Sequence, residues 1–168
     1  MTKERIIVLG GILTCIGVLL AGLYMGTPLR RYRPDNPDEA DIQNLIFRLE
    51  KASASRDLGA YLACLSPGGR FMAAGTEMRT RDALKKELPA FWADLDRGTL
   101  IRVSSRESLN GDILDGEYYD PRFKIEGDHA RVIVSFVTRR SRWRTTVFFQ
   151  CRKRAGRWLI TRLEWDMG

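Results

Sequence analysis

Period-two patterning dominates the last forty residues of the chain. Residues 130–138 (ARVIVSFVT), 143–151 (WRTTVFFQC) and 158–165 (WLITRLEW) are rich in β-branched and aromatic side chains, and each predicts a strand. Shorter strands are predicted over 122–126, turned back by Glu126-Gly127-Asp128, and over 100–103. In the second long strand Trp143, Thr145, Val147, Phe149 and Cys151 share one face, which should meet helices. Arg144, Thr146, Phe148, Gln150 and Arg152 share the other. The same alternation sets Leu159, Thr161, Leu163 and Trp165 against Trp158, Ile160, Arg162 and Glu164 in the last strand. Large apolar groups on both faces predict an outer face covered by a second copy or by another protein.

Upstream the period changes to that of helices. Asn36-Pro37-Asp38-Glu39 combines a capping side chain, proline at the first helical position and an acidic first turn. Ile42, Leu45, Ile46 and Leu49 then fall on one face. A second helix starts near Asp57, presents Leu58, Tyr61, Leu62 and Leu65, and is expected to stop at Ser66-Pro67-Gly68-Gly69. Phe71-Met72-Ala73 reads as a short strand. A third helix, capped by Thr80, carries Leu84, Leu88, Phe91, Trp92 and Leu95, with Pro89 expected to kink or split it. Residues 112–121 read as irregular. Helices followed by a run of antiparallel strands give an α+β layer fold.

The first 35 residues belong to neither pattern. Residues 6–25 contain no charged side chain, about the 20 residues needed to cross a bilayer core. The run is longer than the roughly 7–15 apolar residues of a cleaved signal, and no small-x-small pair ends it. The expected organisation is a charged start (1–5), an uncleaved transmembrane helix (6–26), an extended juxtamembrane linker with three prolines (27–37, TPLRRYRPDNP) and a globular domain (38–168). Lys3 and Arg5 nearly balance Arg30, Arg31 and Arg33, so the positive-inside rule discriminates little. A charged start followed at once by a single apolar span is the usual export layout. It predicts a single-pass protein of the inner (plasma) membrane with its domain outside the cytoplasm.

The charge supports that division. The net charge is +7, of which the first 35 residues carry +3. The rest is not the dense basic stripe of a nucleic-acid binder, and no nucleic-acid partner is expected. The most basic patch, Arg139, Arg140, Arg142 and Arg144 around Trp143, is expected in a hairpin, where it suits lipid headgroups or an acidic partner. Cys15, Cys64 and Cys151 form no C-x-x-C pair and read as buried hydrophobes. The one histidine, His129, lies in a turn. No metal site, nucleophile motif, phosphate loop or cofactor motif is present. Asp112, Asp115, Glu117, Tyr118, Tyr119 and Asp120 hold the ingredients of a Tyr–carboxylate proton relay, but adjacent in one expected loop, so they are read as structural. Tyr61, Phe71, Trp92 and Phe136 are the candidates to line an interior cavity.

Ser55-Arg56-Asp57, Tyr61-Leu62-Ala63-Cys64-Leu65-Ser66-Pro67, Phe71, Gly75-Thr76-Glu77 and Thr80-Arg81-Asp82-Ala83-Leu84 resemble the helical half of NTF2-like domains. The stretch 125–132 (IEGDHARV) and Gly156-Arg157-Trp158-Leu159-Ile160 resemble the strand half. The resemblance, to the SnoaL or ketosteroid-isomerase type of cone, covers about 38–166. It implies helices packed on a strongly bent antiparallel sheet around a cavity, often with dimerisation through the sheet. The superfamily includes isomerases, cyclases and dehydratases as well as transport and assembly domains, and none of its catalytic patterns is matched here. Scaffold subunits of secretion systems share the layout of one anchor and one such domain. The expected function is therefore a membrane-anchored binding or assembly domain, with an envelope protein, a second copy or a small apolar molecule as partner. The alternative is a membrane-tethered isomerase or hydrolase using the cone cavity.

Overall fold

The first long helix starts where its cap predicts. In the computed structural model, which describes residues 26–72, 77–97, 116–138 and 144–166, α1 spans Pro37–Ala54. The Asn36 side chain accepts the Glu39 N–H at 2.9 Å. The Glu39 carboxylate in return accepts the Asp35 N–H at 3.0 Å and the Tyr32 hydroxyl at 2.9 Å. Ile42, Leu45, Ile46 and Leu49 are buried, as their spacing requires. Helix α2, Leu58–Ala63, is capped by Asp57, which accepts the Ala60 N–H at 2.9 Å. Helix α3, Arg81–Asp96, begins at the Thr80 cap and runs through Pro89 unbroken, so the expected split does not occur. Its buried stripe is Leu84, Leu88 and Trp92.

The strands are β1 (Leu65–Phe71), β2 (Arg79–Thr80), β3 (Gly116–Glu126), β4 (His129–Thr138), β5 (Arg144–Arg154) and β6 (Arg157–Trp165). They form one sheet in the order β2-β1-β6-β5-β4-β3. The sheet is mixed rather than wholly antiparallel, because β1 runs parallel to β6. Ser66-Pro67-Gly68-Gly69, expected as a stop, lies inside β1. A Cβ at Gly69 would lie 2.7 Å from the Thr161 carbonyl of the neighbouring β6, so here glycine permits strand contact. β1 therefore ends at Phe71, where the sequence placed the start of a strand. The predicted strand over 100–103 lies outside the described residues.

Two bulges set the faces. In β5 the faces are as predicted, with Thr145, Val147, Phe149 and Cys151 buried. In β6 they are not. Cys151 faces Ile160 and Gln150 faces Arg162, which leaves Thr161 as an extra residue. The parity flips there, so Trp158, Ile160 and Leu163 are all buried against the helices. The two apolar faces predicted by strict alternation collapse into one, and the argument for a covered outer face drawn from this strand falls with them. β3 carries the other bulge, between Tyr119 and Arg122, with Asp120 in the left-handed region at φ 49°. Residues 116–121, expected as irregular, are thus strand.

Residues 27–37 do not form a free linker. Asp120 donates its N–H to the Thr27 carbonyl at 2.8 Å, and its carboxylate accepts the Thr27 N–H at 2.7 Å. Pro28 bridges to Tyr119. Leu29 opens a 3-10 turn (Leu29–Arg31) and is 1% exposed. The buried Gln43 amide donates to the carbonyls of Leu29 at 2.6 Å and Tyr32 at 3.2 Å. Arg30 pairs with Glu50 at 2.9 Å, and the Tyr32 ring stacks on Phe123 with centroids 5.3 Å apart. One apolar side chain and a set of satisfied carbonyls outweigh the extended preference of three prolines. Gly26, placed at the end of the predicted span, has φ +73° and is not helical. The rest of that span, 6–25, lies outside the described residues. No helix among the described residues is long and apolar enough to cross a membrane.

Candidate functional site

The four cavity candidates all lie in the core between helices and sheet. Tyr61, Phe71, Trp92 and Phe136 are at most 5% exposed. Tyr61 on α2 and Trp92 on α3 meet edge to face at 5.8 Å between centroids. Phe136 on β4 contacts Tyr118 of β3 at 5.2 Å and Trp165 of β6 at 5.4 Å. Tyr118 also sits edge-on to Phe149 at 5.9 Å. The fold thus gathers aromatic rings from two helices and five strands.

Their polar tips distinguish these residues from the other aromatics. The Tyr32 and Tyr119 hydroxyls donate to Glu39 and Glu117, both at 2.9 Å. The Trp158 and Trp165 indole N–H groups donate to Asp38 and to the Met72 carbonyl, both at 2.9 Å. Among the described residues, nothing partners the Tyr61 hydroxyl, the Tyr118 hydroxyl or the Trp92 indole N–H. Tyr61 and Trp92 are buried and Tyr118 is partly buried; buried donors nearly always find an acceptor, and the exceptions mark bound water or a bound group. Burial pushes the Tyr61 phenol above its ordinary pKa. It does the same to Tyr118, where the nearby Glu50 carboxylate and Tyr61 add to the effect. Both phenols therefore stay protonated and act as donors. The tools of this interior are neutral hydrogen-bond donors on an apolar wall, suited to an oxygen acceptor on a mostly apolar molecule.

Glu50 is the residue that the sequence reading missed. It sits one position past Leu49 and one turn past Ile46, on the margin of the buried face of α1, which was the available signal. Its side chain is 23% exposed and bonded to Arg30, and it lines a narrow cleft with Leu29, Phe47, Glu117 and Tyr118. Tyr118 and this carboxylate lie on separate elements, the placement that the sequence denied to the acidic-aromatic segment. Asp112 and Asp115 of that segment lie outside the described residues.

The remaining candidates are peripheral. His129 opens β4, is exposed, and pairs with Asp128 at 2.5 Å. Arg139, Arg140, Arg142 and Trp143 lie outside the described residues. Arg144 is described and holds the bulge carboxylate of Asp120 at 3.0 Å. Cys64 and Cys151 are buried free thiols. Burial raises the pKa of both, that of Cys151 to about 12, so neither is a ready nucleophile. No group of three or more potential metal ligands occurs among the described residues.

No family model matches the chain, and no curated protein does. Solved structures do. A protein of unknown function with a cystatin-like fold from Nostoc punctiforme is 18% identical, with a TM-score of 0.52, over 80% of this chain and 96% of that one. An NTF2-like protein of unknown function from Pseudomonas putida is 17% identical, with a TM-score of 0.53, over 76% and 84%. A provisionally named scytalone dehydratase from Novosphingobium aromaticivorans is 17% identical, with a TM-score of 0.54, over 77% and 83%. At such identities the likeness concerns the fold and not the chemistry. The chain carries an α+β domain of the NTF2-like, cone-type fold.

Proposed function

We propose that the protein is a membrane-anchored NTF2-like binding domain that takes up a small, mostly apolar molecule bearing an oxygen acceptor. The observation that carries this is the set of three donors without a partner among the described residues, Tyr61, Tyr118 and Trp92, where the other described tyrosines and tryptophans, Tyr32, Tyr119, Trp158 and Trp165, are all paired. The anchor rests on the uncharged run of residues 6–25, and the basic segment Arg139, Arg140, Arg142, Trp143 and Arg144 is assigned to lipid headgroups or an acidic partner. The soluble domain is assigned to the extracytoplasmic side of the inner membrane. Dimerisation through the sheet is a further part of the proposal.

Native mass spectrometry of the full chain purified in mild detergent tests the binding reading. A co-purifying small molecule, or a thermal shift with simple ketones and lactones, is expected, and both should weaken in a Tyr61→Phe/Tyr118→Phe variant that keeps its fold. An apo mass together with no shift across the panel would refute it. Alkaline phosphatase and a cytoplasmic fluorescent protein, each fused after Gly168, test the topology; fluorescence without phosphatase activity would overturn the assignment.

A second reading has one observation behind it, the Glu50 carboxylate near the Tyr118 phenol. A base and a donor on opposite walls suit proton transfer in a tethered isomerase or hydrolase. Under that reading Glu50→Gln abolishes turnover but leaves ligand binding intact.

A further inference from the structure

We propose that the β3 edge around Asp120 is a bilayer-facing surface, held against anionic lipid headgroups by the docked segment Gly26–Tyr32. The proposal rests on the reading of residues 6–25 as a membrane span, and adds to it a definite orientation.

The length of free chain carries the argument. The apolar run ends at Met25, and the next residues are already part of the domain. Thr27 exchanges two hydrogen bonds with Asp120, Pro28 bridges to Tyr119, and Leu29 is fully buried. A Cβ at Gly26 would lie 2.0 Å from the Asp120 carboxylate, so the backbone is in contact with β3 at its first described residue. An anchor that leaves the bilayer at residue 25 or 26 brings the Asp120 bulge to the headgroup layer with no slack to turn away. A flexible linker of eleven residues, by contrast, would have an end-to-end distance of roughly 15–20 Å and let the domain tumble.

The charges around this exit fit the partner. Arg30 and Arg31 follow Gly26 within five residues, Arg122 lies two residues beyond Asp120, and Arg144 is bonded to the Asp120 carboxylate. All four are exposed. Arg30 pairs with Glu50, and Arg144 with Asp120. The excess is positive, and anionic headgroups attract basic residues by about 1 kcal/mol each near the surface. The opposite end of the sheet is defined as well. β5 runs from Arg144 to Arg154, roughly 33 Å at about 3.3 Å per residue, which sets the Ala155–Gly156 turn far from the exit.

The test uses the full chain in nanodiscs containing phosphatidylglycerol, in a Cys15→Ala background. Single labels are placed at Arg122→Cys and at Ala155→Cys, and quenching is read from a lipid carrying a quencher on its headgroup. Strong quenching at 122 with a near-complete loss at 155 is expected. Insertion of ten Gly and Ser residues between Met25 and Gly26 should equalise the two labels. Equal quenching in the uninserted chain, or a gradient that survives the insertion, overturns the proposal while the anchor stands. Release of the uninserted chain from membranes by alkaline carbonate overturns the anchor itself, and the orientation with it.

Discussion

Replacing Leu29 by Ala isolates the energy that holds the N-terminal segment to the domain. Leu29 is 1% exposed and lies between α1 and β3. The substitution removes three buried carbons, about 2.4 kcal/mol at roughly 0.8 kcal/mol each. A cavity term raises such losses to about 2–5 kcal/mol where the surroundings cannot close in. The segment lies at the surface of the fold and can settle, so the lower end, about 2–3 kcal/mol, is expected. Two outcomes share this origin. If the segment and the domain unfold together, the melting temperature of the full chain falls by about 6–9 °C, at about 3 °C per kcal/mol for a unit of this size. If the segment lifts off alone, the melting temperature holds while amide exchange at Thr27 and Asp120 accelerates by about fiftyfold. Differential scanning calorimetry with hydrogen exchange separates the two, and Arg31→Ala, an exposed change, serves as the control. A Leu29→Ala protein that changes in neither assay would show that the docked segment contributes nothing, and would remove the basis for an oriented domain.

Other consequences are sharp enough to check. Tyr118→Phe removes a hydroxyl that has no partner, so stability should hold or rise while ligand binding weakens; a clear loss of melting temperature would mean that the hydroxyl is bonded in solution. Deleting Thr161 removes the β6 bulge and forces either Trp158 and Ile160 or Leu163 to the solvent face; the variant should not fold, as judged by near-ultraviolet circular dichroism, whereas Thr161→Ala should. Asp38 binds Lys153 at 2.6 Å and the Trp158 indole at 2.9 Å, and these bonds, the lysine first, hold its carboxyl below the ordinary range. Its contribution is therefore complete above the ordinary carboxylate pKa of about 3.9 and is lost as the pH falls through the lower folded value. Asp38→Asn should flatten that acid limb of the melting curve, and an unchanged limb would refute the assignment.

The parts of the fold that were legible in the sequence are those written in local chemistry. The Asn36 cap, the buried stripe of α1 and the alternation of β5 depend on residues within a turn or two of one another, and all three hold. The failures occur where one extra residue or a distant partner decides. Thr161 carries no mark that distinguishes a bulge from an ordinary strand position, yet it reverses the sense of everything after it. Ser66-Pro67-Gly68-Gly69 has the composition of a turn, and only the approach of β6, some ninety residues later, explains glycine at that point in a strand. Leu29 was hidden among prolines and arginines because a single buried leucine makes no periodic signal. In the candidate site Tyr61 and Trp92 were legible as interior residues from their helical spacing, but not as partners. Tyr118 was set aside because its strand was read as a loop, and Glu50 passed as an ordinary charge at the edge of a helix.

The position of the last strand has a consequence for how the chain is made. β6 ends at Trp165, yet it lies inside the sheet, with β1 on one side and β5 on the other. Until β6 has been synthesised, β1 has no long partner, and the apolar faces of α1, α2 and α3 have only part of a sheet to cover. Non-local pairing of this kind is slow and leaves apolar surface open while it waits. The order of events is therefore set by topology: the helices and β1 come first, and the sheet closes beside them only when β6 arrives between β1 and β5.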